Sequence, residues 1–346
     1  MTIKEFARTI GVSPTTVSHS LHDRGRVSSV TRTMVKERMV ELGFVPNVNG
    51  QRLSHGRSNM VALSFGDTHD YLADMFLVEL TRGLQDELEA RGYGLLLSGP
   101  GEPLMRWVNT RAVDSVLLFE PTDRDAIRQM ALRGTPCIVI ETHRTDPIPG
   151  VGSVNYSLEK GARLVARHLF AQGHRKIGYL ISGKPEDVFY CFSDELNRLG
   201  APLSSAYVIH AGLTPRDGAS ALQKLLSQDD PPTAVFARTD GLAAGVLSAA
   251  HRMGVRIPHD LSVVGHDDVP FAELVEPPLT TVRIDCHELG KLAAETLFSL
   301  LDQPGAEVDP RVLDTRLIFR DSVSIPRQHA LSIRQGRGKE VGYQSY

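Results

Sequence analysis

From about residue 60 the chain repeats one pattern: a short apolar run suited to a buried strand, then a longer stretch with apolar residues at helical spacing. The strand-like runs fall at 61–65, 93–97, 113–119, 137–140, 176–181, 233–236 and 261–264, and 76–91 is an amphipathic helix of the kind that joins them. Alternating βα units with short loops point to parallel sheets with helices on both faces, and such sheets gather ligands beyond the carboxyl ends of their strands. The chain's 346 residues exceed what one hydrophobic core of roughly 250–300 residues supports. The expected class is therefore α/β, with two doubly wound parallel-sheet subdomains.

The first sixty residues break that pattern. Residues 1–58 carry nine Lys/Arg against four acids, whereas the remainder carries 29 against 37, so an overall charge of −3 hides a cationic segment fused to an acidic body. That division suits a nucleic-acid-binding module. Thr2 and Glu5 form a capping box that opens a helix to about Thr9, with Ile3, Phe6, Ala7 and Ile10 inward. Gly11 allows a tight turn, and Ser13 caps a second helix that starts at Pro14 and runs to Leu21. Two short helices across a Gly-containing turn make a helix-turn-helix, whose second helix enters the major groove N-terminus first. The helical repeat turns Thr16, Val17, Ser20 and Leu21 toward the bundle and leaves Pro14, Thr15, Ser18 and His19 for DNA. Thr2, Ser13 and Thr16, at the helix starts, complete the candidate contact set. A third helix over 29–42, with Val30, Met34, Val35, Met39 and Leu42 at helical spacing, stops at Gly43.

Pro46 then breaks the chain and Asn47 offers a new N-cap for a hinge segment reaching Leu53. Seven residues are too few for a stable helix in water, so this segment should order only against another surface.

These residues resemble the lactose-repressor/galactose-repressor family of bacterial transcriptional regulators. The resemblance rests on Thr-Ile-Lys-Glu-Phe-Ala at 2–7, Gly-Val-Ser at 11–13, Thr-Val-Ser at 16–18, Glu-Leu-Gly-Phe at 41–44, Pro46-Asn47 and Leu53. It continues through Gly-His-Arg-Lys-Ile-Gly at 173–178, Thr-Asp-Gly-Leu-Ala at 239–243, Gly-His-Asp-Asp at 265–268 and Pro-Pro-Leu-Thr-Thr-Val at 277–282. It implies a homodimer on operator DNA, with Asn47, Gly50, Gln51 and Leu53 as hinge contacts and Leu53 wedging between base pairs of the minor groove. His19 stands where the family usually has Arg, and Gly50 where it usually has Ala.

For the core, the resemblance implies a periplasmic-binding-protein-like fold with a small-molecule effector in the cleft between subdomains. The expected crossings lie near 154–155, 281–283 and 304–310, with a helix at 288–301 returning to the first subdomain and a strand at 312–319 to the second. The expected division is a headpiece over 1–45 and a hinge over 46–58. A first subdomain then takes 59–154 with 283–304, a second takes 155–282 with 305–325, and a tail follows at 326–346. The tail lacks leucine heptads, so no coiled-coil tetramer is expected.

Asp67 and Asp267 follow strand-like runs, where a carboxylate accepts hydroxyl hydrogens, and an aromatic such as Tyr156 covers an apolar ligand face. The resemblance adds Thr239, and it places an effector-clamping Arg at Val188 and a stacking aromatic at Leu213. Both are replaced, which implies a cleft reshaped for an unusual glycan, another metabolite or a protein co-regulator. Asp240 is expected as a helix N-cap.

Catalysis finds no support. The sequence has no phosphate-binding GxxxxGK[ST] loop, no GxSxG elbow and no HExxH helix, and its 13 histidines are scattered. No cofactor and no metal are expected. Three dispersed cysteines offer no disulfide framework, and Cys137 lies in an apolar run as a small hydrophobe. No apolar run approaches a membrane span and no secretory leader opens the chain, so the expected location is the cytoplasm. The rival expectation is a cytoplasmic solute-binding protein or enzyme with a degenerate headpiece.

Overall fold

The structure, a computed structural model, describes residues 1–21, 27–44, 57–66, 74–99, 102–140, 147–182, 187–303, 305–306 and 308–326. The headpiece contains α1 (Ile3–Thr9), α2 (Pro14–Leu21) and α3 (Ser29–Glu41). Each begins as its sequence dictates. The Glu5 amide donates to Thr2 Oγ1 at 3.3 Å while Glu5 Oε2 accepts from the Thr2 amide at 2.7 Å, and Ser13 and Ser28 accept the Thr16 and Thr31 amides at 3.0 and 3.1 Å. These caps satisfy helix-start amides that have no partner within the helix.

Phe6, Ala7, Val17, Val35 and Phe44 form the buried centre of the bundle. Phe44, just past α3, stacks on Phe6 with ring centroids 4.3 Å apart. Three of the residues expected inward, Ile3, Val30 and Leu42, are exposed instead. A bundle this small buries only a narrow stripe of each helix, and the Phe44 ring fills space that a longer α3 stripe would have taken.

The core holds two six-stranded sheets. The first contains β1 (Met60–Phe65), β2 (Gly94–Ser98), β3 (Ser115–Phe119), β4 (Cys137–Ile140), β5 (Val151–Tyr156) and β11 (Arg311–Leu313), in the order β11-β5-β4-β3-β1-β2 and parallel throughout. The second contains β6 (Ile177–Ser182), β7 (Val208–Ala211), β8 (Ala234–Ala237), β9 (Ser262–Asp267), β10 (Thr280–Arg283) and β12 (Arg316–Ile318), in the order β12-β10-β9-β8-β6-β7. Only β12 there runs antiparallel, against β10. Helices α4 (Met75–Ala90), α5 (Glu102–Asn109) and α6 (Arg124–Leu132) belong to the first half. The second half holds α7 (Leu158–Ala171), α8 (Asp187–Leu199), α9 (Pro215–Leu226) and α10 (Asp240–Met253), and α11 (Cys286–Asp302) returns to pack on α4 and β5. The expected two doubly wound sheets are thus present.

The crossings differ from expectation by a few residues. β5 continues through the expected first crossing and ends at Tyr156, and β10 occupies 280–283, so the chain changes sides at Ser157 and at Ile284–Asp285. The strand expected over 312–319 is two strands: Val312 pairs with Asn155 in the first sheet, and Ile318 pairs with Thr281 in the second. The third crossing is therefore at Asp314–Thr315, beside the first. Thr315 Oγ1 donates to Ser157 O at 2.7 Å, and the Ser157 amide donates to Leu313 O at 2.9 Å.

Candidate functional site

On the DNA-facing candidate helix, Ser13, Pro14 and Thr15 are exposed, Thr16, Ser18 and His19 are half-buried, and Val17 and Ser20 are buried. The helical repeat therefore divides α2 largely as expected, with Thr15 and His19 one turn apart on the outer face. Thr16 is drawn into the cap, its hydroxyl 2.8 Å from Ser13 Oγ, and Thr2 is exposed at the start of α1. The hinge residues Asn47, Gly50, Gln51 and Leu53 lie outside the described residues, as does Asp67.

The other candidate residues come from strand ends, where the sheets stop and side chains reach past the backbone ladder. Tyr156 ends β5 and is buried, its ring 5.8 Å from Phe76, which in turn lies 5.7 Å from Phe119. Burial pushes the Tyr156 phenol well above its ordinary range, and the nearby Arg238 guanidinium opposes that rise. Asp267 ends β9 at φ +113° and only 7% exposed, with Oδ1 2.9 Å from His266 Nδ1. Asp268 follows at φ +56°. Two consecutive non-glycine residues in the left-handed half of backbone space are strained, and such strain persists only where the surroundings enforce it. The restraints are visible: the Ile284 amide donates to Asp267 O at 3.2 Å, and the Asp268 carboxylate pairs with Arg283 Nε and, at 2.7 Å, with Arg320. Asp268 and Arg283 also line a cavity of about 240 Å³ together with Glu79, Asp285 and His287. The lining does not include Tyr156, Thr239 or Asp267, so the cavity is a seam between the two halves rather than the candidate ligand cleft.

Thr239 caps α10, its Oγ1 accepting the Leu242 amide at 3.2 Å. The cap role expected of Asp240 therefore belongs to its neighbour. Asp240 is buried and takes hydrogen bonds from Thr281 Oγ1 at 2.6 Å and from the Val269 amide at 2.9 Å. Burial and the adjacent Asp267 raise its carboxyl well above the usual carboxylate range. A Cβ at Gly265 would fall 2.1 Å from that carboxylate, so only glycine leaves room for it.

Val188 is 0% exposed and packs in the apolar core with Tyr179 and Phe192, because α8 turns that face toward the sheet. Leu213, beyond β7, is 54% exposed. Three charged residues at the ends of these elements escaped the sequence reading. Asp74 caps α4 through the Phe76 amide at 2.9 Å, and burial raises its carboxyl. Glu120 follows β3 at φ +45°, and Arg238 follows β8. Position immediately after a strand or before a helix was the one available signal for them.

Cys137 is buried, which pushes its thiol up to about 12, as suits an inert core residue. Among the described residues no cluster of His, Cys, Asp or Glu is placed to hold a metal ion, and no helix is long and apolar enough to cross a membrane.

Comparison with known proteins bears on both parts. Residues 2–47 match the model of bacterial regulatory proteins of the lacI family, and residues 166–323 match a periplasmic binding protein-like domain. The HTH-type transcriptional repressor CytR of Escherichia coli (strain K12) is 30% identical over 339 residues, covering 93% of this chain and 96% of the relative. The chain belongs to the lacI family of bacterial regulatory proteins. Other relatives of this lacI-family chain include the ribose operon repressor of Haemophilus influenzae, 28% identical over 93% of the chain and 98% of the relative. Among solved structures, the lac repressor dimer bound to operator and an anti-inducer superposes with a TM-score of 0.81 at 24% identity, over 94% of this chain and 99% of that one. The transcriptional regulator CelR in complex with cellobiose does so with a TM-score of 0.68 at 28% identity, over 93% and 99%. As a lacI-family member the chain is a DNA-binding transcriptional regulator, not an enzyme.

Proposed function

We propose that this regulator represses transcription by binding a pseudo-palindromic operator as a homodimer, under control of a sugar or related metabolite held between the halves of its core. One observation carries the reading. The segment that enters the core from the headpiece is fastened to the first half: Asp114 accepts the Ser58 and Asn59 amides at 2.6 and 2.8 Å, and Arg57 donates to Leu301 O at 3.3 Å. Candidate contacts Thr239, Leu213 and Asp267 belong to the second half, and Tyr156 closes the first. A ligand that prefers one relative placement of the halves therefore biases where the headpiece is attached, and in a twofold dimer it biases the spacing of two headpieces.

The DNA contact set is Thr2, Ser13, Pro14, Thr15, Thr16, Ser18 and His19, with Asn47, Gly50, Gln51 and Leu53 from the hinge. The domain division follows: headpiece over 1–45, hinge over 46–58, then two core halves with crossings at 157, 284–285 and 314–315. The ribose and cellobiose bound to related regulators make a sugar the first ligand to try, with a protein co-regulator as the alternative. The protein acts in the cytoplasm. A gel shift with the gene's own upstream duplex at 50 and 200 mM salt tests the reading. Specific binding should weaken by roughly a thousandfold if six or more phosphates are neutralised. Equal affinity for a scrambled duplex would contradict it.

A further inference from the structure

A second cavity, of about 90 Å³, is lined only by residues of the first half, apart from the seam between the halves. Its floor is the face of the first sheet that turns away from α4 and α11, where Ser64 on β1 stands beside Leu118 on β3. Its walls include Met105 of α5 and Ala126, Ile127 and Met130 of α6. The exposed Thr122, between β3 and α6, stands at the rim. Ala62, Val116 and Leu118 on this face are apolar, as strands covered by helices require. Ser64 breaks the run. It is only 3% exposed and lines the cavity, yet among the described residues its hydroxyl has no hydrogen-bond partner. An unmet buried hydroxyl costs stability, and a side chain this small also leaves open the volume that a Leu would fill.

The chemistry of the walls narrows what can fill that volume. Ile127 and Met130 are 1% exposed and Leu118 is 5% exposed, so the buried lining is aliphatic or thioether and offers no charge to pair with an ion. A lone hydroxyl in such a wall holds water poorly, because an ordered water needs several polar partners. Apolar cavities on this scale admit a single benzene-sized ring, and thioethers make favourable contacts with aromatic ring edges. We propose that this cavity is a binding site for a small neutral aromatic molecule bearing one hydroxyl, a phenol-like ligand. Its ring lies between α5 and α6 against the sheet, and its hydroxyl meets Ser64. The ring takes the apolar volume, and the serine gains the partner it lacks. Only one half of the core contributes, so the site stands whether or not a metabolite is held between the halves.

Full-length protein isotopically labelled at its methionine methyl groups tests this by NMR, because Met105 and Met130 line the site while Met34 and Met253 lie in the headpiece and the second half. Phenol should shift the Met105 and Met130 signals saturably, by ring current, and leave those of Met34 and Met253 in place. It should bind about fivefold tighter than benzene, the ratio that one hydrogen bond supplies. Ser64→Ala keeps the space and removes the hydroxyl, so it should bring phenol and benzene within about twofold of each other. Ala126→Leu fills the cavity and should abolish the shifts. Cyclohexanol, alike in size and hydroxyl, should bind more weakly than phenol. No saturable shift at the two methionines would overturn the proposal. So would benzene or cyclohexanol binding as tightly as phenol, or phenol binding unchanged in folded Ala126→Leu.

Discussion

Thr281 on β10 donates its hydroxyl to the buried Asp240 carboxylate at the start of α10, 2.6 Å away, and the same carboxylate holds the Val269 amide. The contact ties the helix beside the candidate cleft to the strand that leads into the second crossing. Replacing Asp240 with Ala leaves two buried donors without acceptors and should cost about 2–4 kcal/mol in a urea titration. Because burial already favours the protonated carboxyl, Asp240→Asn mimics that form and should cost about 1 kcal/mol or less. Equal losses for the two variants would show that the charge, not the hydrogen bonds, matters.

The helix limits of the headpiece were legible because caps act locally: Thr2, Ser13 and Pro14 fix helix starts whatever packs around them. The two-sheet architecture was legible from the long apolar runs. The third crossing was not, since Arg311–Leu313 and Arg316–Ile318 are three-residue edge strands whose sheet is decided by distant partners, Asn155 and Thr281. Tyr156 and Asp267 lie at strand ends, as their positions after apolar runs indicate, but the burial of Val188 depends on which face α8 turns to its sheet, which a single position in the sequence does not reveal.

His174 is buried, with Nδ1 2.8 Å from Thr233 Oγ1 and Nε2 2.9 Å from Ser324 O, and burial lowers its pKa from 6.5 to about 4. Between those values the unfolded chain takes up a proton that the folded ring refuses. Stability present above pH 6.5 should therefore be lost as pH falls toward 4, by roughly 3 kcal/mol. Urea midpoints across that window measure it, and His174→Gln should flatten the slope. A slope unchanged by the substitution would rule the ring out as its source.

Gly290 on α11 lets that helix approach α4 so closely that an added Cβ would lie 2.1 Å from Leu80 O. Helix propensity alone would make Gly290→Ala about 1 kcal/mol stabilising. Here the obstacle is backbone and cannot rotate away, so the steric term should win by about 1–3 kcal/mol in thermal unfolding. A stabilised variant would mean the helices separate at little cost.

Asp114 anchors the chain as it leaves the hinge. Asp114→Ala removes two amide contacts worth about 1 kcal/mol or more each and loosens the headpiece attachment. Operator affinity, read by fluorescence anisotropy, should fall roughly three- to tenfold, converting about 1 kcal/mol through the binding equilibrium. Unaltered affinity would detach this contact from DNA binding.

The most direct measurement is selection of binding sites by the full-length protein from a library of random duplexes. If paired copies of α2 read base edges, the enriched sequence will be a pseudo-palindrome whose half-sites are centred about 10 base pairs apart, and His19→Ala will relax preference within each half. Recovery of no sequence above background, with and without added sugars, would contradict the account.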